Sequence, residues 1–279
     1  MTAAPRRSLN RRRALSPDRQ PGVFPITHGS AELVRDLDVA NGWMLLLDGI
    51  QSSYVDLDDP TNLEFEYMQW IARVLDCIAD VGEPLETLHL GGGAASLPRY
   101  VAATRPASNQ LVFEYDEQLV SVVRQALPLP PSRRLRIRAV EARAGLARLR
   151  DASYDVIIRD AFAGPTVPSH LTTVEFCHAV RRVLRTDGVY ATNVADSAPL
   201  HAVRTEAATL MRVFERVLLI TEPSVLRGRR YGNVVFVASR RPLPVTDIGR
   251  LVASGPAPAR TYSAARVRAL AETARPRID

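Results

Sequence analysis

The sequence predicts an α/β protein: a mostly parallel sheet of seven strands ending in an antiparallel hairpin, preceded by a small N-terminal antiparallel β domain. Three observations predict it. Between residues 85 and 215, apolar runs of strand length alternate with helical patterns, as βαβ units require. Near the start, Asn41-Gly42 and Asp48-Gly49 separate short apolar runs, and both pairs tolerate the positive φ of hairpin turns. The last two strand-like runs, residues 217–221 and 233–238, have no helical pattern between them and should pair antiparallel. Composition agrees. With 46% hydrophobic and 24% charged residues in 279, the chain can bury a sizeable core and is not disordered throughout. No apolar run approaches the roughly 20 residues of a membrane helix.

Residues 1–22 are Arg-, Pro- and Ser-rich without apolar periodicity and read as a disordered tail. Residues 1–20 carry five of the six net positive charges. Such runs attract phosphate nonspecifically. Yet all 36 basic residues of the chain are Arg, which reads as a coding habit, so no nucleic-acid partner is expected. No apolar stretch follows the Arg run, so it is not read as a secretory signal. Cys77 and Cys177 stand alone, which fits a reducing cytoplasm.

Residues 23–60 form the expected β domain, with strands at 31–37, 43–47 and 52–55. Asp59-Pro60-Thr61 should start a helix whose apolar face holds Leu63, Tyr67, Ile71, Val74, Leu75 and Ile78. Residues 61–240 make the main domain, with further strands at 85–90, 110–115, 135–140, 154–159 and 188–193. Its clearest helix, 174–184, stacks Phe176, Val180, Val183 and Leu184 on one stripe. Residues 241–279 contain five Pro and should be a loosely packed tail with one short helix, 263–274.

The strongest chemical signal is Leu88-His89-Leu90-Gly91-Gly92-Gly93, a strand running into a glycine turn where backbone can approach a nucleotide closely. Glu114, 21 residues past Gly93 at the next strand end, can accept hydrogen bonds from ribose hydroxyls. The run Gly91 to Ser96 lacks the third glycine of a dinucleotide fingerprint and the Gly-Lys-Ser/Thr of a P-loop. That favours an adenosyl-sulfur nucleoside. The strand Tyr154-Asp155-Val156-Ile157-Ile158-Arg159 delivers Asp160 to the carboxyl edge of the sheet, where a carboxylate can orient an amine and take its proton. Helix capping is the plainer role for the same residue. Residues 161–168 would lie over the pocket as a lid.

Other constellations carry less. The five His show no metal-ligand spacing, so no metal is expected. His89, in mid-strand, reads as a satisfied core histidine. Cys177 and His178 diverge by about 100° on a helix and form no dyad. Trp43 and Trp70 should pack the domain interface.

The order of β domain, Gln51, Tyr67, glycine turn, Glu114, Tyr154-Asp155-Val156-Ile157, Asp160, Phe176 and terminal hairpin resembles the spermidine synthases, or polyamine aminopropyltransferases, in a divergent bacterial form. The resemblance covers about residues 30–240. It implies a Rossmann-like class I S-adenosylmethionine-dependent methyltransferase fold and polyamine chemistry. The co-substrate would be decarboxylated S-adenosylmethionine, or S-adenosylmethionine itself, with a small-molecule acceptor, no metal and a homodimer. By the resemblance, Gly91, Gly92 and Gly93 pass the donor, Glu114 holds its ribose and Gln51 lines the donor or acceptor site. Asp160 is the amine-deprotonating residue, Tyr67 matches the Tyr of a Tyr-His-Glu motif, and Tyr231 neighbours the acceptor mouth. Glu141 replaces an adenine-reading Asp after a one-residue shift.

Four departures stand out. Ala94 replaces an Asp that contacts the donor amino group. Ala163 replaces the second loop Asp, which fixes the acceptor amine. Met68-Gln69 replace His-Glu, and Glu141-Ala142 replace Gly-Asp. With Arg159 beside Asp160, and Arg227, Arg229 and Arg230 before Tyr231, a neutral or anionic acceptor is expected over a cationic diamine. The alternative is a non-catalytic descendant that binds a nucleoside or a partner chain.

Overall fold

A computed structural model describes residues 20–129 and 132–279. The expected tail therefore lies almost wholly outside the described residues. The first sheet contains β1 (Gly22–Ile26), β2 (Gly29–Arg35), β3 (Gly42–Leu47) and β4 (Ile50–Asp56), an antiparallel meander in chain order. Strand β1 was not anticipated, because Pro25 breaks up a five-residue run and such strands survive only at an edge, where this one sits. Strand β2 stops at Arg35, leaving Leu37 97% exposed in the following turn.

The helix expected at residue 59 begins later, as α1 (Glu66–Ile78). Asp59 instead closes a local turn, its Oδ1 accepting from Thr61 N at 3.0 Å. Then come β5 (Glu86–Leu90), α2 (Ser96–Thr104), β6 (Asn109–Glu114), α3 (Glu117–Ala126), β7 (Leu135–Ala139), α4 (Ala142–Ala147) and β8 (Tyr154–Arg159). The chain continues through α5 (Val174–Val183), β9 (Leu184–Asp196), α6 (His201–Val213), β10 (Arg216–Thr221), the single turn α7 (Pro223–Leu226) and β11 (Gly232–Ser239). It ends with α8 (Val245–Ser254), β12 (Arg260–Tyr262) and α9 (Ala264–Ala271).

The second sheet has the order β12-β10-β11-β9-β8-β5-β6-β7. Strands β9, β8, β5, β6 and β7 are parallel, while β10 and β11 form the expected antiparallel pair. The eighth strand, β12, comes from the region read as a loose tail, and that reading is corrected. Ile248, Val252, Val267 and Leu270 of α8 and α9 are buried. The prolines had masked two short amphipathic helices around a three-residue edge strand.

Alternation along the strands feeds two cores. Val156 and Ile158 face α1, α2 and α8, while Ile157 faces α5, α6 and α9. A third cluster joins Leu33, Trp43 and Leu45 of the first sheet to Leu119 and Val123 of α3. Trp43 thus sits between the sheets' domains as expected. Trp70 does not: its Nε1 donates to Ala257 O at 2.8 Å and pins the C-terminal segment.

Candidate functional site

The chain reverses direction across the sheet at β5. Strand β6 lies on one side of β5 and β8 on the other, so the loops leaving β5 and β8 diverge and open a crevice at their carboxyl ends. Asp160 N donates to Leu90 O at 2.9 Å, binding the two strand ends together. The crevice is a cleft of about 510 Å³. Gly91, Gly92, Gly93, Glu114, Gln51, Glu141, Tyr67, Tyr231 and Asp160, all singled out in the sequence, line it together.

The glycine turn needs glycine for stated reasons. Gly91 has φ +102°, and a Cβ there would lie 2.2 Å from Asp160 O. A Cβ on Gly93, at φ +47°, would lie 2.4 Å from Ser53 Oγ of β4. Gly91→Ala is therefore expected to cost roughly 1–3 kcal/mol, measurable by chemical denaturation, because strain and a backbone clash coincide.

Glu114 holds this turn. Its Oε2 accepts from Gly92 N at 2.9 Å and Gly93 N at 3.2 Å, and its Oε1 accepts from Asp116 N at 3.1 Å. A carboxylate offers about four acceptor positions, so capacity remains for a hydroxyl donor in the cleft. Glu141 is committed differently. It caps α4, accepting from Arg143 N at 2.9 Å and Ala144 N at 2.8 Å, and His170 Nε2 lies 3.1 Å away. Gln51 and Tyr231 are exposed at the rim.

Asp160 sits half-buried at the cleft floor. Tyr67 OH donates to its Oδ2 at 2.8 Å, and Asn193 Nδ2 donates to its Oδ1 at 3.4 Å. Burial pushes its pKa up to about 6, against the opposing pull of the Tyr67 and Asn193 hydrogen bonds and the Arg159 charge. The Tyr67 hydroxyl is held far above its ordinary value by burial and by the Asp160 charge, so it remains a donor. His89 is the neutral core residue expected. Burial lowers it to about 4, and its Nε2 lies 3.0 Å from Gln110 Oε1.

Two expectations about charge are overturned. Arg159 does not oppose Asp160 in the cleft, because alternation along β8 sends it to the other face. There its Nη2 lies 3.0 Å from Glu206 Oε1 of α6, and its Nη1 donates to Leu171 O at 2.7 Å. Arg230 pairs with Glu222, and none of Arg227, Arg229 and Arg230 lines the cleft. The lining carries Asp48, Glu114, Asp116, Glu141 and Asp160 and no Arg among the described residues. The Arg side chains that favoured a neutral or anionic acceptor therefore lie outside the cleft. Ala94 also proves not to be a gap in the cleft, since its methyl packs fully buried with Leu33, Trp43 and Leu119. Ala163 does line the cleft, in a tight turn where its N donates to Thr166 O at 2.8 Å.

Sequence reasoning missed Ser53, Asn193 and Asn233. Ser53 Oγ accepts from Ala94 N at 3.1 Å and ties the first sheet to the turn. Asn193 and Asn233 sit on β9 and β11 at the same edge as Asp160, and polar residues at that edge were the available signal.

The profile of the spermine/spermidine synthase domain matches residues 64–234. The solved structure of a probable spermidine synthase from Corynebacterium glutamicum is 35% identical and superposes with a TM-score of 0.87 over 93% of this chain and 96% of that one. The polyamine aminopropyltransferase of Vibrio vulnificus is 29% identical over 180 residues, 64% of this chain and 58% of that protein. The N-terminal histidine N-methyltransferase of Emericella nidulans is 26% identical over 245 residues, 77% of this chain and 43% of that protein. The chain thus spans about half the length of these last two relatives.

Proposed function

Because this chain belongs to the spermine/spermidine synthase family, we propose that it transfers an aminopropyl group from decarboxylated S-adenosylmethionine to an amine, with Asp160 as general base. The observation that carries this is Asp160 itself, a half-buried carboxyl raised to about 6 at the floor of a cleft lined by five carboxylates and no Arg among the described residues. The decarboxylated donor bears a sulfonium and an ammonium and no carboxylate. The residues present fit it better than the intact donor, whose carboxylate would meet no Arg.

In this reading the Gly91–Gly93 turn gives the donor close backbone approach and Glu114 accepts from its ribose. An acceptor amine enters protonated, and burial lowers its pKa toward that of Asp160. Asp160 accepts the proton and frees the nitrogen lone pair, which attacks the carbon next to sulfur. The carbon–sulfur bond breaks, its electron pair returns to sulfur and 5′-methylthioadenosine leaves. Positioning supplies most of the rate, since the reaction is a single in-line displacement. A homodimer and a cytoplasmic setting belong to the same proposal.

Methyl transfer is the second reading, favoured by the likeness to the Emericella methyltransferase across 77% of this chain. Incubating the protein with each donor and a panel of mono- and diamines separates the two. Release of 5′-methylthioadenosine supports aminopropyl transfer, and release of S-adenosylhomocysteine replaces it with methyl transfer. Binding without either product identifies a non-catalytic descendant. Glu114→Ala should weaken 5′-methylthioadenosine binding roughly 10–100-fold by calorimetry, the worth of a charge-assisted hydrogen bond. Unchanged affinity removes the ribose role.

A further inference from the structure

Asp160 ends a chain of side-chain hydrogen bonds that leaves the cleft. Asn193 Nδ2 donates to Asp160 Oδ1 at 3.4 Å and to Asn233 Oδ1 at 3.1 Å. Asn233 Nδ2 in turn donates to Glu66 Oε1 at 3.1 Å. Glu66 lies on the first turn of α1, one residue before Tyr67, and does not line the cleft. An amide has a donor end and an acceptor end, so the chain has a direction, and a carboxylate, which only accepts, sets it. Asn193 Oδ1 is buried without a hydrogen-bond partner, so nothing on its far side holds the amide in place.

We propose that Glu66 is a positioning residue for Asp160, acting through Asn233 and Asn193 to keep an N–H, and never a carbonyl, turned toward the general base. The argument is one of donor and acceptor parity. A protonated Asp160 carrying its proton on Oδ1 needs an acceptor from Asn193. Turning Asn193 over would set its oxygen against Asn233 Oδ1, and turning Asn233 over as well would set oxygen against the Glu66 carboxylate. Glu66 therefore penalises the arrangement that suits the protonated base and favours the ionised one. The other groups acting on Asp160 are Tyr67 from α1 and, from the opposite face of the sheet, the Arg159 charge, and neither changes when the amides turn.

The sign of the effect separates this role from plain electrostatics. If Glu66 acted only as a nearby negative charge, its removal would make Asp160 easier to ionise. Loss of the directed relay does the opposite. In Glu66→Leu the acid limb of the pH–rate profile should move up by about one pH unit. Asn233→Leu should move it the same way, and so should Glu66→Gln, whose amide can donate as well as accept and so no longer fixes the direction of the relay. A downward or absent shift in Glu66→Leu, or a downward shift in Glu66→Gln, overturns the proposal.

The inference rests on the proposed role of Asp160, so a readout without turnover is paired with it. Carbon-13 NMR titration of the Asp160 carboxyl, assigned by its loss in Asp160→Asn, should show the same upward shift in Glu66→Leu. A shift seen by NMR in protein lacking transfer activity retains the relay and removes only the enzymatic reading. Thermal melting confirms that each variant is folded.

Discussion

Replacing Asp160 by Asn is expected to lower kcat for aminopropyl transfer 10²–10⁴-fold, the usual worth of a positioned general base. The donor side should be spared, because in the proposed arrangement Glu114 and the glycine turn, and not Asp160, hold the donor. Binding of 5′-methylthioadenosine by calorimetry should therefore persist. In the wild type the rate should fall as pH drops through about 6, where Asp160 takes up its proton, and this limb should be absent from the residual activity of the variant. Stability should move the other way. A carboxyl whose folded pKa lies above its unfolded value stabilises least when ionised, so stability is lost as pH rises from about 4 to about 6. The shift corresponds to an order of 2–3 kcal/mol at neutral pH. Asp160→Asn should thus melt no lower than the wild type at pH 7. A variant with unchanged kcat removes the base assignment. One that melts far lower shows that the carboxylate is structural.

That opposition explains why Asp160 was legible in the sequence while its surroundings were not. An acidic residue directly after an apolar strand departs from what burial alone would select, and it stands out in one dimension. The glycine turn and Glu114 were legible for a similar reason, since a tight turn and a strand-end carboxylate at fixed spacing leave a local mark. The parallel strands carried their own hydrophobic runs. Asn193 and Asn233 leave no such mark, because their meaning depends on β9 and β11 lying side by side, with Asn193 paired to Val235 in register. Arg159 was misjudged because sequence adjacency suggests proximity, whereas the two-residue period of a strand puts neighbours on opposite faces. That Ala94 packs as a core methyl is visible only once the first sheet lies against α3. The C-terminal helices were lost to prolines whose punctuation outweighed a weak apolar stripe.

The opposite face of β8 carries the largest expected stability effect. The Arg159 and Glu206 side chains are 0% and 2% exposed, and Thr192 of β9 hydrogen-bonds to the guanidinium. Burial raises the Glu206 pKa, whereas the Glu206 charge keeps Arg159 above its ordinary value despite burial. The pair is therefore held together in an apolar layer at the expense of desolvation. Removing one partner strands the other charge in an apolar layer, and Glu206→Ala should cost about 3–5 kcal/mol in chemical denaturation. Replacing both, as Arg159→Met with Glu206→Leu, should recover most of that loss, because two well-packed apolar side chains bury no charge. The double variant need not recover activity. Arg159 also holds Leu171 O, just beyond Pro168 and the run Ala161 to Pro165, which line the cleft. Without that anchor the segment loses its tie to the strand that carries Asp160, so kcat should fall even where stability returns. Recovery of both together would show that the ion pair serves the core alone. Recovery of stability without rate would assign the guanidinium a part in positioning the segment that lines the cleft.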